Sequence, residues 1–223
     1  MSDPLAVLFV LYPNVTQLDF AGPAQVLCRL PGAKPVYASP AGGAVMTDCG
    51  FAVADTVPLA AVTSCDLLCV PGGAGSEAMC QDDDALAEIV RLAGTARYVT
   101  SVCTGSLILG AAGLLRGRRA ACHWAWRDTL PLFGAIPDPA RVVRDGAVFT
   151  GGGVTAGVDF ALTLAAEIAG EDVARAINLA IEYAPAPPFD SGRPESAPPP
   201  IRAMVERAVA PRRERLHAAL RKV

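Results

Sequence analysis

The chain has 223 residues, long enough for folding to bury roughly 70% of the surface that the unfolded chain would expose. It is 52% hydrophobic and only 18% charged, which excludes an intrinsically disordered chain. Nineteen basic against 22 acidic residues give a net charge of −3, the wrong balance for a protein built to neutralise nucleic-acid phosphates. The longest apolar run, residues 107–115, falls well short of the ~18 residues of a bilayer span. Met1-Ser2-Asp3-Pro4 is acidic and unlike a secretory signal. Seven cysteines, an odd number set mostly in apolar segments, read as reduced thiols of a cytoplasmic protein and not as a disulfide framework.

In chain order, the aliphatic run over 5–12 predicts a strand buried on both faces, ended by Pro13-Asn14. A short helix is expected over 20–30, a second strand over 34–39, and a hairpin within 44–57. Residues 67–70 form the next buried strand, closed by Pro71-Gly72-Gly73. Asp82-Asp83-Asp84 open a helix to residue 93, where acids suit the positive end of the helix dipole. A strand over 97–102, a buried helix over 104–115, a strand over 118–122 and a short helix over 124–132 follow. Asp145-Gly146 centres a hairpin within 141–150. Gly151-Gly152-Gly153 then leads into a helix over 154–169, and 171–183 has a helical apolar pattern. Seven prolines between Pro185 and Pro200 mark an extended loop (185–200) before a last helix over 201–223, basic and amphipathic.

Strands alternating with helices predict an α/β three-layer sandwich, a mostly parallel sheet with helices on both faces, over a single domain spanning 1–223. Ligands of such sheets sit beyond the carboxyl ends of the strands. The loops to inspect are therefore 13–19, 71–75, 103–104 and 151–154. Cys103 stands directly between a strand and a helix, flanked by small Ser101 and Gly105, as nucleophiles do on sharp strand-to-helix turns. A helix N-terminus there favours a thiolate. Gly72 and Gly73 offer backbone N–H groups, and with the Thr104 N–H they form a candidate anion hole. Asp19, between Leu18 and Phe20, is either a general acid/base with a raised pKa or the N-cap of the helix that follows. His123 is either a dyad partner of Cys103 or a hydrogen-bonded strand-end histidine, the second being favoured. His217 reads as a solvated surface residue. The spacing of Cys65, Cys69 and Cys80 fits no metal motif, so no metal is expected. Gly151-Gly152-Gly153 lacks the lysine of a phosphate loop and reads as close packing beside Cys103, with Gly152 and Val154 near the substrate.

The segments Gln17-Leu18-Asp19-Phe20-Ala21-Gly22-Pro23, Pro71-Gly72-Gly73 and Tyr98-Val99-Thr100-Ser101-Val102-Cys103-Thr104-Gly105-Ser106 resemble those of the ThiJ/PfpI superfamily. So do His123-Trp124-Ala125, the segment 151–160 and the segment 182–189. Within that superfamily the sequence is similar to the bacterial isocyanide hydratases. The resemblance implies a flavodoxin-like, class I glutamine amidotransferase-like fold. It also implies hydration of an organic isocyanide to an N-substituted formamide through a thioimidate on Cys103. Asp19 would be the general acid/base and Thr104 would position the substrate or the acid, with no cofactor taking part. It further implies a homodimer, with an apolar pocket for which Phe20, Val154 and Tyr183 are candidate walls. Thr104 stands where many protease-like members carry His, and Asp19 where many carry Glu. The competing readings are a glyoxalase-like thiol enzyme acting on reactive carbonyls, a cysteine redox sensor, and a DNA-binding regulator, which the charge disfavours. Neither nucleic acid nor membrane is expected as a partner.

Overall fold

The computed structural model describes residues 4–220. β1 (Leu5–Val10) is followed by α1 (Gln17–Leu27), β2 (Ala33–Ser39) and a hairpin of β3 (Gly43–Met46) and β4 (Ala52–Pro58). β5 (Leu67–Val70), α2 (Ser76–Met79) and α3 (Asp83–Ala93) come next, then β6 (Tyr98–Val102) and α4 (Gly105–Ala111). β7 (Arg119–Ala120) and β8 (Ile136–Pro137) pair outside the main sheet, on either side of a 3₁₀ turn at Arg127–Phe133. β9 (Val142–Asp145), β10 (Val148–Gly151), α5 (Ala156–Ala169), α6 (Glu171–Ala180) and α7 (Pro199–Leu220) complete the chain.

The main sheet has eight strands in the order β3-β4-β2-β1-β5-β6-β10-β9. Its inner pairings are parallel, and only the edge strands β3 and β9 run antiparallel to their neighbours. Every residue of β5 and β6 is buried, as a strand covered on both faces requires. Two groups of helices flank the sheet: α1 packs on α5 and α5 on α6, while α2 and α3 pack on α4. The central strands and both helix groups share one hydrophobic core, from Phe9 and Leu68 through Leu107 to Phe160. None of the described helices is long and apolar enough to cross a membrane.

The structure departs from the expected boundaries where a distant partner takes over. α1 starts at Gln17, not at residue 20, so Asp19 lies in its first turn and is neither a loop residue nor the N-cap. The cap comes from the β3–β4 turn: Asp48 accepts from Thr16 Oγ1 at 2.8 Å and from Gln17 N at 3.1 Å. The strand expected over 118–122 shrinks to the two residues of β7. Ala121 N donates to Thr150 Oγ1 at 2.8 Å and His123 N to the Cys103 carbonyl at 3.4 Å, so these donors serve the site and not a ladder. The helix expected over 104–115 ends at Ala111, ahead of Gly113 with its positive φ of 76°. The four-residue α2 was not foreseen. α7 begins at Pro199, where proline fits a first turn, and of its described residues it buries only Leu216, with Ile201 and Met204 exposed. Residues 221–223 of the expected last helix, and the start of the Met1–Pro4 segment, lie outside the described residues.

Candidate active site

Four strand ends converge. β1 runs into Tyr12 and α1, β5 into Pro71-Gly72-Gly73, β6 into Cys103-Thr104, and β10 into Gly152. Cys103 adopts φ 58°, a left-handed conformation that a side-chain-bearing residue enters only when its surroundings enforce it. They do so here: its N–H donates to the Gly151 carbonyl at 3.1 Å and its carbonyl accepts from His123 N at 3.4 Å. The next residues admit little bulk, since a Cβ on Gly105 would collide with the Val70 carbonyl. The small flank Ser101 bonds Ser106 Oγ at 2.8 Å, and Ser106 in turn donates to the Ala121 carbonyl at 2.6 Å, tying the elbow to the β7 segment.

Asp19 is fully buried. Its Oδ2 accepts from Gly72 N at 2.9 Å. Its Oδ1 is buried without a hydrogen-bond partner among the described residues. Burial raises the carboxyl from 3.8 to about 7, against the pull of the Gly72 N–H and of the Cys103 thiol, while the charge of Asp48 adds to the rise. Gly72 N–H can reach the carboxylate only because this residue has no side chain: a Cβ there would stand 2.5 Å from Thr104 N, 2.6 Å from Thr104 Oγ1 and 2.8 Å from Asp19 Oδ2.

The glycine N–H groups are engaged. Gly72 N–H holds Asp19, Gly73 N–H donates to Thr104 Oγ1 at 2.9 Å, and Gly152 N–H donates to the Arg141 carbonyl at 2.9 Å. The Gly73 N–H thus serves the Thr104 hydroxyl, while the Thr104 N–H, the other donor of the expected anion hole, faces Cys103. Two influences oppose each other at the Cys103 sulfur. Burial first, then the Asp19 carboxylate and Cys122, push the Cys103 thiol well above its usual range, and the Thr104 N–H only partly opposes them. A seven-residue α4 cannot outweigh a buried like charge.

The favoured reading of His123 fits the geometry. Its Nδ1 accepts from Ala125 N at 3.3 Å, its ring stacks on Trp124, and burial lowers its pKa. His217 is not the solvated residue expected: it is half-buried, and its Nε2 lies 2.9 Å from Oγ1 of buried Thr129. Phe20 is turned edge-on to Tyr37 and belongs to the core. Tyr183 spends its hydroxyl on Asp159, both oxygens at 3.2 Å. Val154 and Gly152 line a cavity of about 700 Å³ shared with His123, Trp124 and Arg141. Among the described residues no three His, Cys, Asp or Glu side chains gather to hold a metal.

One contributor escaped the sequence reading. Tyr12, fully buried at the end of an otherwise aliphatic strand run, donates its hydroxyl to the Pro71 carbonyl at 2.7 Å. Its only signal was a phenol placed where a leucine would have served.

The sequence profile of the DJ-1/PfpI family matches residues 6–167. The chain belongs to the DJ-1/PfpI family. Among proteins of this family, an isonitrile hydratase of Pseudomonas putida is 50% identical over 207 residues, covering 93% of this chain and 91% of that one. The crystal structure of a ThiJ/PfpI family protein from Pseudomonas syringae superposes with a TM-score of 0.94 at 40% identity, over 99% of this chain and 91% of that chain. Drosophila melanogaster DJ-1beta shares the fold at a TM-score of 0.72 and 24% identity, covering 82% of this chain and all of that one. The DJ-1/PfpI fold is the mostly parallel sheet flanked by helices described above, and the profile ends within α5.

Proposed function

We propose that the protein adds water to organic isocyanides, giving N-substituted formamides, by covalent catalysis at Cys103. The observation that carries this reading is the 50% identity to an isonitrile hydratase across nearly the whole of both chains. The chemistry of the site agrees. An isocyanide carbon is attacked by sulfur and must also receive a proton. A buried thiol beside a carboxyl that titrates near 7 supplies both.

In this mechanism Asp19, ionised, takes the Cys103 proton as sulfur attacks the terminal carbon, and delivers it to that carbon. The product is a thioimidate, R–N=CH–S–Cys103. Asp19, again a carboxylate, then draws a proton from water as the water oxygen adds to the same carbon. That proton ends on nitrogen. Collapse of the tetrahedral adduct breaks the C–S bond, expels the sulfur, which regains its proton, and leaves R–NH–CHO. No preformed thiolate is needed, because base and nucleophile act together. Thr104 has its hydroxyl fixed by Gly73 N–H, and its own N–H faces the Cys103 sulfur; it holds the sulfur in line. In this reading Val154 and Gly152 wall the neighbouring cavity, whose lining reaches His123 beside the Cys103 elbow but not the sulfur itself.

We read residues 1–223 as one domain, because α7 bonds back to the loops of the site through Arg212, Arg213 and Arg215. We also read the protein as a homodimer. Leu18, Met46 and Phe51, all exposed, lie beside the first turn of α1 and offer it an apolar face. A monomer mass in sedimentation equilibrium would remove that part. The test of the activity is formamide production from a simple aromatic isocyanide by wild type and by Cys103→Ala. Turnover is expected in wild type and should fall by at least about 10³-fold in the variant. No turnover by freshly reduced wild type overturns the reading and moves attention to reactive carbonyls.

A further inference from the structure

The hydroxyl of Tyr12 and the carboxylate of Asp19 hold opposite ends of one peptide unit. Tyr12 Oη donates to the Pro71 carbonyl at 2.7 Å, and the N–H of that same Pro71–Gly72 amide donates to Asp19 Oδ2 at 2.9 Å. Tyr12 and Asp19 are both fully buried, so neither bond competes with solvent. The following peptide is held in the same way: Thr16 N donates to the Gly72 carbonyl at 2.9 Å, and the Gly73 N–H donates to Thr104 Oγ1 at 2.9 Å. Two consecutive amides thus connect the end of β1 and the start of α1 to the acid and the threonine.

We propose that Tyr12 is a positioning residue for Asp19, acting through the Pro71–Gly72 amide whose plane it fixes and whose N–H it makes a stronger donor to the carboxylate. This rests on the assignment of Asp19 as the acid/base. The physical basis is cooperativity: a hydrogen bond accepted by an amide carbonyl polarises the amide and strengthens the bond donated by its N–H. Low local dielectric makes that strengthening count. Burial, followed by the nearness of Asp19 and Cys103, holds the Tyr12 phenol well above its usual range, so it remains a donor at every pH of interest. The groups facing Asp19 are Cys103 on the β6 elbow, Tyr12 just after β1, Cys69 on β5 and Asp48 on the β3–β4 turn. Arg212 of α7 reaches Tyr12. Of these, Tyr12 alone touches the amide that bonds the carboxylate.

The direction follows. The Gly72 N–H favours ionised Asp19, so weakening it must move the Asp19 titration upward. Tyr12→Phe removes one oxygen and keeps the ring. It should shift the inflection near pH 7 up by roughly half a unit and lower kcat several-fold with KM little changed. A ring-fluorinated tyrosine in place of Tyr12 is a stronger donor and should shift the inflection the other way. Tyr37→Phe, whose hydroxyl faces only Cys28 Sγ at 4.0 Å, should change nothing.

The pH dependence is read twice, from isocyanide turnover and from the rate at which iodoacetamide labels Cys103, followed peptide by peptide by mass spectrometry. The second readout needs no isocyanide. Absent turnover in wild type would sink the hydratase assignment while leaving this proposal to be judged by labelling. Should Tyr12→Phe fail to fold, the fluorinated protein and the pH titration of the Gly72 amide proton in wild type decide. Inflections unmoved by Tyr12→Phe and by fluorination, an equal shift in Tyr37→Phe, or a Gly72 amide proton that does not titrate with Asp19 would each overturn it.

Discussion

Around Pro71–Gly73 and Cys103–Thr104 the polar contacts are buried, short and made largely by backbone. α7 is fastened to the same neighbourhood by other means. Arg213 bonds the Ala125 carbonyl at 3.0 Å and Asp128 at 3.3 Å, Arg215 grips Glu77 at 2.9 and 3.1 Å, and Arg212 lies over Trp126 and reaches the Gly73 carbonyl at 3.3 Å. Arg215 is 60% exposed. A buried amide bond left unmade costs its full desolvation, whereas an exposed ion pair contributes little because water serves each charge nearly as well. The comparison teaches where this molecule has no tolerance: in the turns, where a single methyl or proton has nowhere to go.

The difference is sharpened first at Asp19, where the largest effect is expected. Asp19→Asn should lower turnover by about 10³-fold, the scale of a lost general acid/base, and should abolish the inflection near pH 7 expected of wild type. The same change should help the fold in alkali. Asp19 has a folded-state pKa of about 7 against an ordinary 3.8, so its protonated form is the one the fold prefers. Its penalty is absent below about pH 4, grows between there and 7 and is complete above. Thermal and urea melts should therefore find Asp19→Asn more stable than wild type at pH 8, by on the order of 2 kcal/mol, and not at pH 4. A wild type whose stability is flat across that window would contradict the burial argument.

Gly72→Ala comes next. The added methyl meets Thr104 N, a backbone atom that cannot swing aside. We expect a loss of about 2 kcal/mol in denaturant melts and a fall in turnover of about 10²-fold, as the amide that holds Asp19 is pushed away. An alanine accepted at full activity would mean that the turn is pliable and the contrast false. At the small end stands Arg215→Ala. The pair with Glu77 should be worth less than about 0.5 kcal/mol, and turnover should be unchanged. A large loss there would place α7 among the determinants of the site.

Much of this was legible in the chain. The runs at 67–70 and 97–102 announced β5 and the whole of β6, and the small residues about Cys103 announced the elbow, because both are local patterns. What stayed hidden depends on partners far away in sequence. Asp48 caps α1 from 31 residues downstream, which placed Asp19 inside a helix instead of before it. The Gly73 and Gly72 N–H groups looked free until Thr104 and Asp19 were found occupying them. The thiol looked acidic from its place before a helix. The carboxylate brought against it from α1, and the depth of both, push the other way. The short α2 and the two-residue β7 were missed or overextended for the same reason: long-range bonds, not propensity, set their limits.

The burial pattern of the seven thiols also has a consequence for handling. Cys65, Cys69, Cys80, Cys103 and Cys122 are buried and Cys28 is partly so, which leaves Cys49, in the β3–β4 turn, as the exposed one. A bulk reagent meets the thiols in order of depth. Exposure alone does not set the order of reaction, because Asp48 beside Cys49 holds that thiol above its usual range, so one equivalent of label reports on the surface or on the nucleophile only once its position is mapped.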